Sequence, residues 1–311
     1  MRNTVPTRTH GIDSGATLQN YTDHPPVRIL FTGASSAIGA GVLSVVLESF
    51  KAVQVWCTRH RHVLTMADPR VCDIDMDLTK EGEPEHLPDA IDLVVHFAGV
   101  SHSQHARQYW DVNFHGTMRV AKLARERGCK KFVYISTRCA TQGSGAYGES
   151  KMAAESELKK LLWDSLLIIR PSEIYGGGGE QGIDKLISLA KRLRFTPVLL
   201  GNSRISFAPL SIDDFIEITG DEIRELADGE RTVEVCGPED LSPVVLAKRI
   251  ALRHKAWRVP VWWPLLSLVL NTSLKLRLNF VAPDQLQRLS CDKTSSARAA
   301  DRTGRRRFLI D

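Results

Sequence analysis

Short apolar runs alternate along this chain with longer segments whose apolar positions recur at helical spacing. Residues 27–32 form a short β-branched, apolar run interrupted only by Arg28, and a Gly/Ser-rich turn follows. Over 37–50 the apolar positions then fall on one helical face, which predicts strand, tight turn and helix. Further strands are expected at 53–58, 70–76 and 91–97. A long amphipathic helix is expected over 103–127, then a strand at 131–135, a helix at 147–162 and a strand at 165–169. Strands separated by helices of this length predict an α/β fold, a Rossmann-type doubly wound parallel sheet.

After residue 170 the rhythm loosens. A helix is expected near 183–192, a strand at 205–210, a helix at 212–226, a strand at 232–236 and a helix at 242–253. These elements are expected to complete the sheet and to build a smaller substrate-binding lobe over its carboxyl edge. The stretch 259–274 is uncharged and holds Trp262 and Trp263, but Pro260 and Pro264 interrupt it. It also falls short of the ~20 residues of a spanning helix. A buried or interfacial lobe helix is expected there, and no membrane partner. The organisation read from the chain is a flexible arm over 1–26, a dinucleotide-binding domain over 27–175 and a mixed lobe over 176–311, with a basic tail from about 293.

Composition narrows the class. The 311 residues are 43% hydrophobic and 25% charged, ordinary for a soluble domain, and the net charge of +5 is too modest to suggest nucleic-acid binding. Six scattered cysteines without a CxxC pair argue against a zinc site or a disulfide framework and fit a cytoplasmic, reducing compartment. His60 with His62, and His102 with His105, lack the acidic or cysteine partners of a metal site, so no metal is expected.

The turn Thr32-Gly-Ala-Ser-Ser-Ala-Ile-Gly39 carries the first chemistry. Gly33 permits the tight turn, Gly39 permits close helix packing, and Ser35, Ser36, Ala37 and Ile38 lie where a pyrophosphate meets the helix N-terminus. Ser36 stands where the middle glycine of such motifs usually sits. A second-strand carboxylate would bind a ribose 2′-hydroxyl, yet this strand ends Cys57-Thr58-Arg59-His60-Arg61. A guanidinium suits a 2′-phosphate, which favours NADP, with NAD as the other possibility. The competing reading makes Arg59 and Arg61 solvated loop charges.

Tyr147 and Lys151 are four residues apart, so a helix places them on one face. An ammonium near a phenol favours the phenolate and fits the tyrosine for acid–base work. Ser136 and Thr137 end the preceding strand at the same sheet edge. With the first turn come Asp77-Leu78, the segments DLVVHFAG (92–99), NFHGT (113–117), FVYIST (132–137), YGESK (147–151), RPSEIYG (170–176) and FAPLSIDD (207–214). In this order they make the chain resemble an extended short-chain dehydrogenase/reductase of the nucleotide-sugar epimerase/dehydratase family, over about residues 27–214.

The resemblance implies that Tyr147 exchanges a proton with the substrate oxygen, which Thr137 hydrogen-bonds. Lys151 holds the nicotinamide ribose and tunes Tyr147. Asp77 and Leu78 lie by the adenine, Phe97, Ala98 and Gly99 by the diphosphate and ribose, and Pro171 and Ser172 by the nicotinamide. Asn113 is either structural or part of a proton relay. His102 is expected near substrate, and Arg204 either contacts a nucleotide-sugar diphosphate or is an ordinary surface arginine. A homodimer built from the helices at 103–127 and 147–162 is implied as well. Two departures bear on the reaction: Arg138-Cys139 stand where the family's dehydratases carry Asp-Glu, and only ten positions separate Thr137 from Tyr147. The function expected is NADP-dependent reduction of a keto group on a nucleotide sugar. An epimerase retaining NAD is the alternative, and a redox-silent NADP-binding regulator is the alternative of another class.

Overall fold

The computed structural model describes residues 25–60, 63–64, 66–178, 182–201, 206–265, 268, 272 and 305–309. The N-terminal arm, apart from Pro25 and Pro26, and the basic tail, apart from 305–309, lie outside these residues.

The apolar runs of the N-terminal half become β1 (Val27–Thr32), β2 (Val53–Arg59), β3 (Val71–Asp75), β4 (Leu93–His96), β5 (Lys131–Ile135) and β6 (Ser165–Pro171). They form a parallel sheet of seven strands in the order β10-β6-β5-β4-β1-β2-β3, closed at one edge by β10 (Gly229–Val235) from the C-terminal half. The order reverses between β1 and β4, so the crevice that binds ligands in open α/β sheets opens at their carboxyl ends.

Both faces of the sheet are covered, so β4 reads as continuous burial instead of alternation. On one face α1 (Ala37–Ser49) packs against α6 (Ile212–Arg224), burying Val42, Leu43 and Val46 with Phe215 and Ile223. On the other, α3 (Thr117–Glu126) and α4 (Gly145–Lys160) bury Val120, Ala124, Ala154 and Leu158 against Val94, Phe132 and Ile168.

The helix expected over 103–127 begins only at α2 (Ala106–Tyr109), and a π-helical segment, Trp110–Gly116, separates α2 from α3. Asn113 sits in that π segment, fully buried. Helical periodicity could not reveal this, because a π turn shifts the face by a single residue.

Two expectations in the lobe are corrected. The strand expected at 205–210 is not there: Phe207 makes a single antiparallel bridge to Leu241, and only β9 (Leu210–Ser211) is extended, pairing with β7 (Ile174–Tyr175). Pro209 lacks the N–H a continuous ladder would use. The strand of this region is β8 (Phe195–Leu200), which follows α5 (Gly182–Leu193) and contains Pro197. The helix expected from 259 is likewise displaced: β11 (Trp257–Trp262) pairs in parallel with β8, placing Val259 beside Pro197. Pro260 bars a helix there, while the alternating aromatic and β-branched side chains suit a strand. The turn from Trp263 to Leu265 is helical, and most of 266–274 lies outside the described residues. Between β8 and β11, α7 (Pro243–Arg253) starts on Ser242, whose hydroxyl caps Val245 N at 3.3 Å. Among the described residues no helix is long and apolar enough to cross a membrane.

Candidate active site

The turn after β1 is fixed by its own atoms. Gly33 has φ +80°, and a Cβ there would lie 2.6 Å from Ala98 N, while one on Gly39 would lie 2.2 Å from Gly33 O. Ser36 caps α1: its hydroxyl donates to Gly33 O and accepts from Gly39 N, both at 3.0 Å. The Ser36 hydroxyl proton is therefore spent on the turn. The first-turn amides of Ala37 and Ile38, which helices leave without intrahelical partners, stand at the rim of the cleft with the positive end of the helix dipole. Ser35 is exposed beside them.

Behind this turn runs a buried relay of hydrogen bonds. Thr117 Oγ1 donates its one proton to Asn113 O at 2.7 Å, so it must accept from His96 Nε2 at 2.9 Å. His96 Nδ1 then accepts from Thr32 Oγ1 at 2.6 Å, and Thr32 Oγ1 accepts from Ala98 N at 3.1 Å. Burial holds His96 far down, at about 3, with the charge of Lys151 acting in the same direction, so the imidazole is neutral. Asn113 closes the relay: its Oδ1 accepts from Val100 N at 2.8 Å and its Nδ2 donates to Val100 O at 2.9 Å. These bonds are structural, and Asn113 Nδ2 also donates to Ser150 Oγ at 3.4 Å. It clamps the Phe97–Val100 loop, on which Ala98 and Gly99 lie.

The face of α4 carries the chemistry. Tyr147, Ser150, Lys151 and Glu155 are all buried, at helical spacings that point them one way. Lys151 Nζ donates to Ile135 O at 2.9 Å and lies 4.7 Å from the centre of the Tyr134 ring. Burial lowers its pKa to about 8, against the opposing charge of Glu155. Ser150 Oγ donates to Tyr147 O at 2.8 Å. Glu155 accepts from Ser136 Oγ and pairs with Arg170, tying α4 to the ends of β5 and β6. Tyr147 packs edge-on against Tyr109, ring centres 5.8 Å apart, and the Tyr109 hydroxyl accepts from Ser103 N at 2.7 Å. Thr137 Oγ1 accepts from Cys139 N at 3.2 Å, leaving its own proton to donate into the cleft.

Thr137, Tyr147 and Lys151 line one cleft of about 1120 Å³ together with Ser36, Ala37, Ile38, Phe97, Gly99, His102, Pro171 and Ser172. Ser172 is held by a bond from its N to Val235 O at 2.9 Å, and Pro171 O accepts from Arg138 N at 3.0 Å. Arg138, in the position of a dehydratase acid, is itself paired with Glu234 of β10, and both are nearly buried. Arg59, Asp77 and Leu78 gather away from this wall, at the carboxyl ends of β2 and β3. Arg59 Nε lies 3.1 Å from Asp73 Oδ2, an ion-pair distance without hydrogen-bond alignment. Asp77 accepts from Thr79 N at 2.9 Å and lies 3.3 Å from His60 Nε2. Arg204 and Arg61 fall outside the described residues. No group of three or more potential metal ligands occurs among the described residues.

The cradle fits a nicotinamide dinucleotide. Backbone fills the space where Cβ atoms on Gly33 and Gly39 would be. A Cβ on exposed Gly99 would press on Asn113 Oδ1 at 3.0 Å and Lys151 Nζ at 3.2 Å, so a bare backbone surface leads from the helix N-terminus to the lysine. Four residues essential to this arrangement were not singled out in the sequence: His96, Tyr109, Ser150 and Glu155. His96 and Ser150 lay inside quoted motifs, whereas nothing in the pattern marked Tyr109 or Glu155.

Comparison with known proteins follows the same lines. The model of the NAD dependent epimerase/dehydratase family matches residues 29–219. UDP-glucose 4-epimerase of Vibrio cholerae is 26% identical over 266 residues, 76% of this chain and 79% of that protein. Ceramide reductase of Caulobacter vibrioides is 28% identical over 179 residues, 57% of this chain and 56% of that protein. Among solved structures, UDP-glucuronic acid 4-epimerase of Bacillus cereus superposes with a TM-score of 0.63 at 19% identity, covering 76% of this chain and 86% of that one.

Proposed function

The chain belongs to the NAD dependent epimerase/dehydratase family, and on that premise we propose that it is an NADP-dependent reductase of a keto group on a nucleotide sugar. The observation that carries this reading is the shared wall of Thr137, Tyr147 and Lys151 beside an Arg138 locked to Glu234. A nicotinamide cofactor in the cradle supplies the hydride. The Thr137 proton orients the substrate oxygen, and Tyr147 gives that oxygen its proton as the carbonyl becomes an alcohol. The Lys151 ammonium, near neutrality in its titration, favours the phenolate left behind until solvent restores the proton. Elimination of water requires an acid pair after Thr137, and Arg138-Cys139 supply none.

NADP is preferred because β2 ends without a carboxylate and presents Arg59 at its rim. The nucleotide-sugar substrate is carried over from the epimerase relatives, and a relative named ceramide reductase supports a reductase reading. A homodimer is part of the reading, since Trp110, Phe114 and Met118 leave a half-buried apolar stripe at four-residue spacing. So is a cytoplasmic setting, where the described cysteines, all free, stay reduced.

The second reading, an epimerase retaining NAD, is favoured by one feature: Asp73 already engages Arg59. Denaturing the purified protein and identifying the released nucleotide separates the two. Little retained nucleotide, with NADPH bound on addition, supports the reductase. One equivalent of released NAD contradicts it.

A further inference from the structure

Ten of the twelve exposed large apolar side chains among the described residues lie between Leu193 and Leu268, on β8, α7, β11 and the segments beside them. They centre on β11, a strand of a two-stranded sheet, where Trp257 is 79% exposed on one face and Trp262, five residues on, 63% exposed on the other. The parallel register puts Phe195, Pro197 and Leu199 on the same face as Trp257, Val259 and Val261, an open sheet face without a polar side chain. On the opposite face β8 packs on α7, with Thr196 and Val198 buried, while Arg258 and Trp262 of β11 stay exposed. Leu265 and Leu268 extend the apolar surface beyond the strand, at 58% and 63% exposure.

The surrounding charge is of one sign. No Asp or Glu occurs from Lys185 to Leu200 or from Leu241 to Leu265. Lys191, Arg192, Arg194, Arg253, Lys255 and Arg258 do, all exposed. Three of them meet at His254: burial first, and then the charges of Lys191, Arg253 and Arg194, hold it below its ordinary range. Trp257 follows directly, its N bonded to Arg194 O at 2.7 Å.

We propose that the exposed strand β11, which presents Trp257 on one face and Trp262 on the other, forms with the turn after it a peripheral docking surface for an anionic lipid bilayer. Exposed tryptophans beside aliphatic side chains suit the headgroup boundary, and a fringe of cations without acids suits anionic phospholipid. An added strand is disfavoured as occupant because Pro260 breaks the donor row of β11. A second copy of the chain would set this fringe against the same positive surface if it met the patch face to face. The surface does not span the bilayer and does not depend on which substrate the cleft takes. It does bring one wall of the cleft to the lipid, because α5 and α7 also line the cleft through Ile183, Lys185 and Leu246.

The test is flotation of the full chain with vesicles of phosphatidylglycerol and phosphatidylcholine, against phosphatidylcholine alone. The chain is expected to float with the anionic vesicles and to be released by salt. Lys255→Gln with Arg258→Gln should weaken binding about fivefold per cation removed. Trp257→Ser with Trp262→Ser should abolish it, with unchanged thermal melting and NADPH binding showing that the fold persists. If the tryptophan variant does not fold, the exposed lysine and arginine pair carries the test alone. The proposal is overturned if the chain stays unbound on anionic vesicles or if the charge variants bind like the parent. It is overturned equally if the tryptophan variant merely dissociates a larger oligomer, which would make a second copy the occupant.

Discussion

Two regions of the proposed site are built differently. At the chemical end every key side chain is buried and tied to its neighbours: Lys151 to Ile135 O, Thr137 to Cys139 N, Glu155 to Ser136 and Arg170. At the carboxyl ends of β2 and β3, proposed to take the adenosine, Arg59 and His60 are substantially exposed and lean on Asp73 and Asp77 through single contacts. Proton transfer requires fixed geometry, because efficiency falls off as reacting atoms leave hydrogen-bond reach. Recognition of a ribose or phosphate at a rim tolerates movement. The contrast therefore predicts large losses from changes at the first end and graded ones at the second.

The largest effect is expected at Tyr147. Tyr147→Phe removes one hydroxyl and should lower turnover by about 10²–10⁴-fold. Dinucleotide affinity measured by calorimetry should stay near that of the parent. Retention of more than a small fraction of turnover would remove Tyr147 from its role.

Next comes Glu155, which is buried between a hydroxyl and a guanidinium. Glu155→Gln leaves Arg170 without its partner charge and should cost about 3 kcal/mol in denaturant unfolding. A loss below about 1 kcal/mol would show that the wall is not held in this way.

His96 offers a pH-resolved test. Its folded pKa, about 3, lies below its ordinary value of 6.5, so the unfolded chain binds the extra proton between those limits. Stability must then fall as pH drops from 6.5 towards 3, by about 1.4 kcal/mol per pH unit for this group. His96→Gln keeps a donor at the Nε2 position and should flatten the profile by that amount. An unchanged slope would mean that His96 is not the buried neutral clamp.

The smallest effect belongs to the rim. Arg59→Ala should cost about tenfold in NADPH affinity and little for NADH, at the low end for a charge-assisted contact because Asp73 shares the guanidinium. Equal titration curves for both cofactors in parent and variant would favour the epimerase reading.

The same contrast explains what the sequence disclosed. Buried apolar runs have one solution, so the six N-terminal strands and α1 lay close to where their periodicity placed them. Gly33, Gly39, Tyr147 and Lys151 were legible because the backbone and the helix face admit few other residue types there. Asn113 was legible as a position but not as a clamp, since its partner Val100 is thirteen residues distant and the π turn leaves no periodic mark. Glu155 and Tyr109 act through partners on other elements, which no local pattern announces. In the lobe, Pro260 reads as a breaker although it sits, like Pro197 opposite, in a strand of a two-stranded sheet. Marginal strands at an open edge depend on tertiary pairing more than on propensity.

The central claim is that this cleft moves a hydride onto a substrate carbonyl while Tyr147 supplies the proton. Its most direct test is mass spectrometry of the product after incubation with keto-sugar nucleotides and NADPH deuterated at the transferable position. One deuterium per product, one NADPH consumed for each, and loss of both in Tyr147→Phe is the result predicted. Product that is unlabelled, formed without net loss of NADPH, or formed equally well by Tyr147→Phe would contradict the account.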